Sequence, residues 1–351
     1  LWGGVTAHAI GAWKIYEHSG DLAFLGEAYD FYRALMWTNT PGWWGHKYEA
    51  ADCLGNMALE LGYPQSEADH WQEMVKADNF DSWFNSMWEK NGVKHYFGAG
   101  NTNEFGWSTF AYLSMKNFPP DLARNMVETW AMDDVVGFNR QGQMGTKDLV
   151  WWQQLIEDGE NTNFMITPDT YYIALKGMFA SGVYDHALTL TLNHLKNYNF
   201  KPEWGIPCAP EAVSADYEFH GDAFSNFNAG KILLILEGIF GLSYSVVDNS
   251  FTVADNMPPE WSFMETYVPI NEGGETRWTR VRVDREEQGG VVTKSVHVQG
   301  NTQTTLNIEP WMEGKTLQSA TVGGETNTVS GHIDYQFSNQ AGQSLQIQLT
   351  D

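Results

Sequence analysis

Several carboxyl-bearing residues stand where they could do chemistry. Glu211 closes the run Pro207-Cys208-Ala209-Pro210-Glu211, whose two prolines restrict the backbone leading into it. An immobile carboxylate is what a positioned general base requires. The same segment, Asn199–Gly221, also carries Glu203, Asp216 and Glu218. Glu49 and Asp52 lie three apart and share one face of a helix. Tryptophans crowd the same neighbourhoods: Trp43, Trp44, Trp107, Trp151, Trp152 and Trp204, with His46, His95 and His220 nearby. Two carboxyls on opposite sides of a glycosidic bond, one protonated and one ionised, can hydrolyse it. Flat rings offer platforms for the apolar C–H faces of sugars. Glu211, Glu49, Asp52 and Glu218 are the carboxyls that could serve as catalytic candidates for such chemistry. Trp43, Trp44, His46, Trp107, Trp152, Trp204 and His220 are the candidates for substrate binding.

Other chemistries lack their residues. None of His46, His95 and His220 is read as having a partner at metal-ligand spacing, and Asp133-Asp134 and Glu157–Glu160 match no calcium loop, so no metal and no cofactor is expected. A phosphate-cradling glycine loop, a dinucleotide fingerprint and a Gly-x-Ser-x-Gly elbow are all absent from the sequence.

Composition narrows the partners. Against 44 Asp and Glu stand 20 Lys and Arg, a formal charge of −24, which leaves little to replace the counterions of a nucleic acid or to bind an anionic membrane. Hydrophobic residues make up 42% of the 351, enough for large cores and against a disordered chain; the length favours two domains. The longest apolar run, Ile232–Leu242, is interrupted by Glu237 and is too short to span a bilayer. Cys53 and Cys208 are too few for a disulfide scaffold; one bridge or two buried thiols are the alternatives. The chain opens on Leu1 inside a helical pattern, so a fragment or processed chain is expected, with any signal segment on the missing part and a periplasmic or secreted location.

The elements that must position these residues change character near residue 243. Before it, apolar residues recur at helical spacing and predict nine helices, at about 2–17, 21–37, 48–62, 66–88, 107–117, 121–131, 168–181, 185–198 and 222–240. After it, runs such as Phe251–Ala254, Phe263–Val268, Thr276–Asp284, Val291–Gln299, Thr304–Ile308, His332–Phe337 and Ser344–Leu349 alternate between turn pairs and predict an antiparallel β-sandwich. The expected domains are 1–243 and 244–351. The connections between helices run short, long, short, long: Ser19-Gly20, Thr38–Lys47, Tyr63–Gln65, Glu89–Gly106, Phe118–Pro120, Met132–Thr167, Gly182–Tyr184, Asn199–Gly221. Helical hairpins give that rhythm when every long loop lies at one end, and long loops in compact domains carry function. Helices starting after a long loop form an inner layer and the charged ones an outer layer. Five inner and four outer helices imply a double-layered ring lacking about three N-terminal helices.

Particular tracts carry a family resemblance. WKIYEHSGDLAFLGEAYDFYRAL (Trp13–Leu35), AADCLGNMALELGYPQSEADHWQEM (Ala50–Met74) and FSNFNAGKILLILEGIFGL (Phe224–Leu242), the last followed by MPPEW (Met257–Trp261), resemble successive helix pairs of the six-hairpin glycosidase superfamily. The α-L-rhamnosidase-like branch is the most similar, with the α-glucosidase-like branches next. The resemblance covers most of residues 1–300. It implies a multidomain α and β protein: an incomplete (α/α)6-type toroid of about nine helices, then a C-terminal β-sandwich. It further implies a glycoside hydrolase of the inverting kind, acting on an oligo- or polysaccharide. In similar toroids the connection before the last inner helix supplies the general base, here Asn199–Gly221 with Glu211. The connection matching Thr38–Lys47 supplies the acid. Here it holds no carboxylate, so Glu49, Asp52 and the missing N-terminal part are the candidates, with Asp148 and Glu104 as outsiders. A helix start favours an ionised carboxylate, whereas a general acid needs a raised pKa. A polysaccharide lyase on the same toroid, and an inactive carbohydrate-binding relative, are the alternatives.

Overall fold

The computed structural model describes residues 4–38, 44–73, 87–90, 93–96, 113, 118–128, 165–166, 168–197, 210–214, 219–223, 226–272, 275–299, 305–309, 311, 313, 315–324, 330–338 and 347–349. The chain divides into two compact units, one of Leu1–Trp13 with Leu22–Leu234 and one of Lys14–Asp21 with Ile235–Asp351.

The first unit is mainly helical. Among the described residues it contains α1 (Gly4–Ser19, whose residues from Lys14 onward group with the second unit), α2 (Leu22–Thr38), α3 (Trp44–Glu60), α4 (Gln65–Glu73), α5 (Pro120–Met126), α6 (Pro168–Ala180), α7 (Tyr184–Asn197) and α8 (Asn226–Leu233). Apolar spacing explains the best-packed of these. Along α3, Ala50, Ala51, Leu54, Met57 and Ala58 are fully buried, the stripe that 3.6 residues per turn predicts. Gly55 leaves room for the Gln72 side chain of α4, since a Cβ there would come within 2.5 Å of its amide nitrogen.

The short connections are helix stops built on glycine. Gly62 and Gly182 have φ of +74° and +78°, a left-handed conformation that glycine adopts without a Cβ penalty. After α3, the Tyr63 N–H donates to the Ala58 carbonyl at 2.9 Å and the Gly62 N–H to Leu59 at 3.0 Å. After α6, Val183 donates to Met178 at 2.9 Å and Gly182 to Phe179 at 3.1 Å. The paired bonds form a Schellman stop, which satisfies two last carbonyls and turns the chain back at once.

Several predicted boundaries move. The helix expected over 48–62 begins at Trp44, so five residues, 39–43, separate α2 from α3 in place of the expected ten-residue loop. The helix expected over 66–88 is helical only to Glu73 among the described residues, and Met87–Lys90 is strand β1, paired with β2 (Val93–Tyr96). β-branched and aromatic residues at Trp88, Val93 and Tyr96 suit that hairpin better than a helix. The last predicted helix starts at Asn226, not 222, because 222–223 are extended. The helix expected over 107–117 lies outside the described residues apart from Leu113.

Two further long connections are not plain loops. Met165–Ile166 (β3), Pro210–Ser214 (β4) and Phe219–Ala223 (β5) form a three-stranded antiparallel sheet in the order β3-β4-β5. β3 pairs with β4 in the register Met165↔Ser214 and Ile166↔Val213.

The second unit resumes at Ile235, within the π-helical stretch Leu234–Ile239, where the Phe240 N–H reaches five residues back to the Ile235 carbonyl at 3.0 Å. The Asn256 side-chain amide donates to the Gly238 carbonyl at 2.7 Å, satisfying an acceptor released there. Gly241, at φ +60°, sits so close to Ala254 that a Cβ would meet that residue's Cβ at 2.3 Å. The strands follow: β6 (Leu242–Ser245), β7 (Ser250–Val253), β8 (Phe263–Glu272), β9 (Glu275–Gln288), β10 (Val291–Gln299), β11 (Thr305–Ile308), β12 (Thr316–Gly324), β13 (Ser330–Ser338) and β14 (Ile347–Leu349). They make a five-stranded sheet β12-β13-β10-β9-β8 and a four-stranded sheet β14-β11-β7-β6. Their pairing is not antiparallel throughout, since β11 runs parallel to β7. A crossover through β8, β9 and β10 separates those two strands in sequence, which permits parallel pairing. β6 and β12 are not among the predicted strands, and the expected boundary between 243 and 244 falls inside β6. Alternation governs burial: Thr279, Val281 and Val283 on β9, and Val292, Val296 and Val298 on β10, face inward.

One inward position on β10 holds a charge. Lys294 is fully buried, 3.4 Å from the equally buried Asp255 carboxylate, and it donates to the Trp311 carbonyl at 3.2 Å.

Candidate functional site

The site grows from three helices and one small sheet. Glu49 lies in the second turn of α3, not the first, because Trp44–Lys47 already belong to that helix. The macrodipole argument against it as an acid therefore loses force, since that field fades within the first turn. A nearer charge replaces it: the Lys176 ammonium of α6 lies 2.5 Å from Glu49 Oε1. The two side chains, Lys176 and Glu49, are 26% and 19% exposed, so the pair is sheltered but not dry. Lys176 also stands 6.0 Å from the ring centre of Tyr172, one turn earlier. Asp52 follows Glu49 one turn along α3 and is half-buried.

α6 packs against α7 and α8. On α8, Lys231 is buried, and loss of water pushes its ammonium down to about 8. The residues that begin α6 and α8 are tied together by the small sheet: β3 ends just before α6, and β5 ends just before α8. Two of the expected long connections therefore meet in one sheet at the starts of α6 and α8.

Glu211 lies on β4 at an irregular point of that sheet. Pro210 pairs with Ala223 and Ala212 with His220, so Glu211 alone opposes the two residues Gly221 and Asp222. The extra residue belongs to β5, so it is β5 that bends opposite Glu211, and bulges are frequent beside active sites. His220 is on β5, across from Glu211's neighbour Ala212. The sheet thus sets Glu211 and His220 on adjacent strands, while Glu49 and Asp52 share α3. Trp44 and His46 are on the first turn of α3 and not in a loop. Glu218, Trp43, Trp107, Trp152 and Trp204 lie outside the described residues, as does Cys208. Cys53 is a buried thiol.

Lys176 is not among the sequence candidates, although a signal for it exists. Tyr172, Leu175, Lys176 and Phe179 recur at i, i+3, i+4 and i+7, so the lysine stands within a helical apolar stripe. A cation in that place calls for a carboxylate, because burying an unpaired charge is costly. The bulge is signalled less clearly, by Gly221 beside Asp222.

Elsewhere in this unit, Tyr29 donates to Glu67 at 2.5 Å and accepts from the Trp71 indole at 3.3 Å, tying α2 to α4. Arg33 completes the cluster at 2.6 Å from Glu67. Among the described residues no three His, Cys, Asp or Glu side chains converge to hold a metal ion. No described helix is long and apolar enough to cross a membrane.

No family model matches the chain, and no curated protein matches it. Among solved structures it is similar to a Streptomyces avermitilis α-L-rhamnosidase complexed with L-rhamnose, at 13% identity and a TM-score of 0.45, over 92% of this chain and 31% of that one. It is similar to an uncharacterized conserved protein of Thermus thermophilus, at 13% identity and a TM-score of 0.38, over 54% of this chain and 44% of that one. A third is a GH63 mannosylglycerate hydrolase of Thermus thermophilus in complex with glucose, at 14% identity and a TM-score of 0.38, over 54% of this chain and 46% of that one. The chain spans less than half the length of each of these structures. Two of the three are glycoside hydrolases.

Proposed function

We propose that the protein is a glycoside hydrolase of the six-hairpin, (α/α)6 type that cleaves an oligo- or polysaccharide with inversion. Glu211 is the general base and activates the attacking water. Glu49 is paired with the Lys176 ammonium, a neighbour that suits a positioning carboxylate, so the proton-donor role is not assigned to it. It orients Lys176 or the sugar. Asp52 takes the acid role among the described residues. The observation that supports this reading is the β3-β4-β5 sheet, in which Glu211 lies on the central strand opposite a bulge of β5, with β3 leading into α6 and β5 into α8.

The test is turnover of a panel of aryl glycosides and oligosaccharides, followed by reducing-sugar release and by NMR of the first-formed anomer. The wild type releases sugar with inverted configuration. Glu211→Gln lowers kcat by about a hundred- to ten-thousandfold and leaves sugar binding nearly intact. Near-wild-type turnover in that variant removes Glu211 from the mechanism.

A second reading has one observation in its favour. Lys176 beside Tyr172, with the buried Lys231 on the adjacent α8, resembles the cations and tyrosine base that a β-eliminating lyase needs on a uronate. Unsaturated products that absorb in the ultraviolet identify a lyase; a hydrolase makes none.

A further inference from the structure

The outer face of the five-stranded sheet carries a row of exposed rings. On the edge strand β8 these are Phe263 and Tyr267, 53% and 56% exposed, and on β9 Trp278, 63% exposed. Strand geometry places Phe263 and Tyr267 about 13 Å apart on one face. Tyr267 stands opposite Arg280, so Trp278 is its diagonal neighbour, about 7–8 Å away. The rings therefore form one line of about 20 Å along the strand pair.

Charged groups fill the spaces between them. Glu265 accepts from Arg280 at 2.5 Å and from Arg282 at 3.2 Å, and Arg282 donates to Asp284 at 2.5 Å. Arg282 also lies over the Phe263 ring at 4.9 Å. Two arginines against two carboxylates leave this ladder neutral in a chain of net charge −24. That balance selects the occupant. An anionic polymer gains no net attraction here and meets the repulsion of the whole chain. A protein partner covers its contact with an apolar centre depleted of charge, whereas here the charges lie in the centre, between the rings. Rings alternating with paired donors and acceptors match a molecule whose apolar C–H faces alternate with hydroxyls.

We propose that this face is a carbohydrate-binding site, separate from the candidate active site, that takes a neutral polysaccharide chain along β8 and β9. Sugar rings stack on Phe263, Tyr267 and Trp278, and hydroxyls bond to the Arg280–Glu265–Arg282 ladder. The length of the line suits several sugar rings. The face binds whether or not the protein is a hydrolase.

The experiment is native affinity electrophoresis of the full chain in gels containing hydroxyethylcellulose, xylan or galactomannan, with polygalacturonate as the acidic comparison. The wild type is retarded by at least one neutral polymer and not by polygalacturonate. Trp278→Ala and Tyr267→Ala together weaken that binding by about a hundredfold, tenfold for each ring, equivalent to about 1.4 kcal/mol apiece. Tyr267→Phe, which keeps its ring, retains it. Sedimentation velocity accompanies the gels. Absence of retardation in every neutral polymer, retardation undiminished in the double variant, or stronger retardation by polygalacturonate overturns the proposal. So does a wild-type dimer that the double variant converts to a monomer, which would assign the face to a second copy of the chain.

Discussion

The contact between Glu49 and Lys176 joins α3 to α6, and its energy can be separated from any catalytic role. At 2.5 Å, an effective dielectric of about 20 gives a gross attraction of about 6–7 kcal/mol. Most of it is offset, because both groups are largely withdrawn from water, and solvent reaching the remaining exposed part screens the rest. A net coupling of about 1–2 kcal/mol is expected. Glu49→Gln leaves a polar acceptor beside the ammonium and costs about 1–2 kcal/mol, while Lys176→Met leaves a sheltered carboxylate and costs about 2–3 kcal/mol. The double variant is then less destabilised than the sum by the coupling energy. Urea unfolding followed by tryptophan fluorescence measures all four proteins, with an unchanged slope on denaturant as the control. If the single effects add to within about 0.5 kcal/mol, no pair exists and the proposed positioning of Lys176 fails. Activity gives an independent arm. If Glu49 only orients its partner, Glu49→Gln lowers kcat by less than about tenfold; a catalytic carboxyl would cost about a hundredfold or more.

Other outcomes follow from the buried polar groups. Burial, with the hydrogen bond to Glu67 next, raises the Tyr29 hydroxyl well above its ordinary value of 10.0. Above pH 10 the unfolded chain therefore loses this proton before the folded one does, and stability falls as pH rises further. Tyr29→Phe destabilises the protein at neutral pH by about 1–2 kcal/mol, because the hydrogen bonds of the Tyr29 hydroxyl to Glu67 and from the buried Trp71 indole are lost. It also flattens the decline above pH 10, read as the slope of unfolding free energy against pH. In the second unit, Lys294→Met strands the Asp255 carboxylate and costs about 3–5 kcal/mol. Asp255→Asn added to that variant restores part of the loss in thermal unfolding, and no restoration would mean that the pair is not what holds Lys294.

Local signals are legible in the sequence; long-range pairing is not. The turns at Gly62 and Gly182 announce themselves as glycines that follow apolar helix ends. The stripe Ala50, Ala51, Leu54, Met57 and Ala58 sets the register of α3. Val291–Gln299 is legible to the residue, because its alternation is unbroken and the Gly289-Gly290 turn stands before it. The helix expected over 66–88 overruns into Met87–Lys90, since apolar spacing there suits either period and only the partner strand β2 decides between them. The strands within 199–223 are hidden for the same reason: β4 is short, begins at a proline, and owes its existence to β3 and β5. The parallel pairing of β7 with β11 leaves no mark in either strand. At the site, Glu211 stands out by its prolines and Glu49 with Asp52 by their spacing. Lys176 does not, because its meaning depends on a carboxylate far away in the chain.

The pairing of Ile166 with Val213 spans the whole of α6 and α7. Such a contact forms only after the intervening chain has been brought to order, since closing that loop costs entropy that few hydrogen bonds repay early. During refolding, helical signal should return first and the environment of Glu211 last. A molecule can then be largely coiled into its helices before the strand that carries Glu211 is in place, and the β3–β4 pairing becomes the late reporter of complete folding.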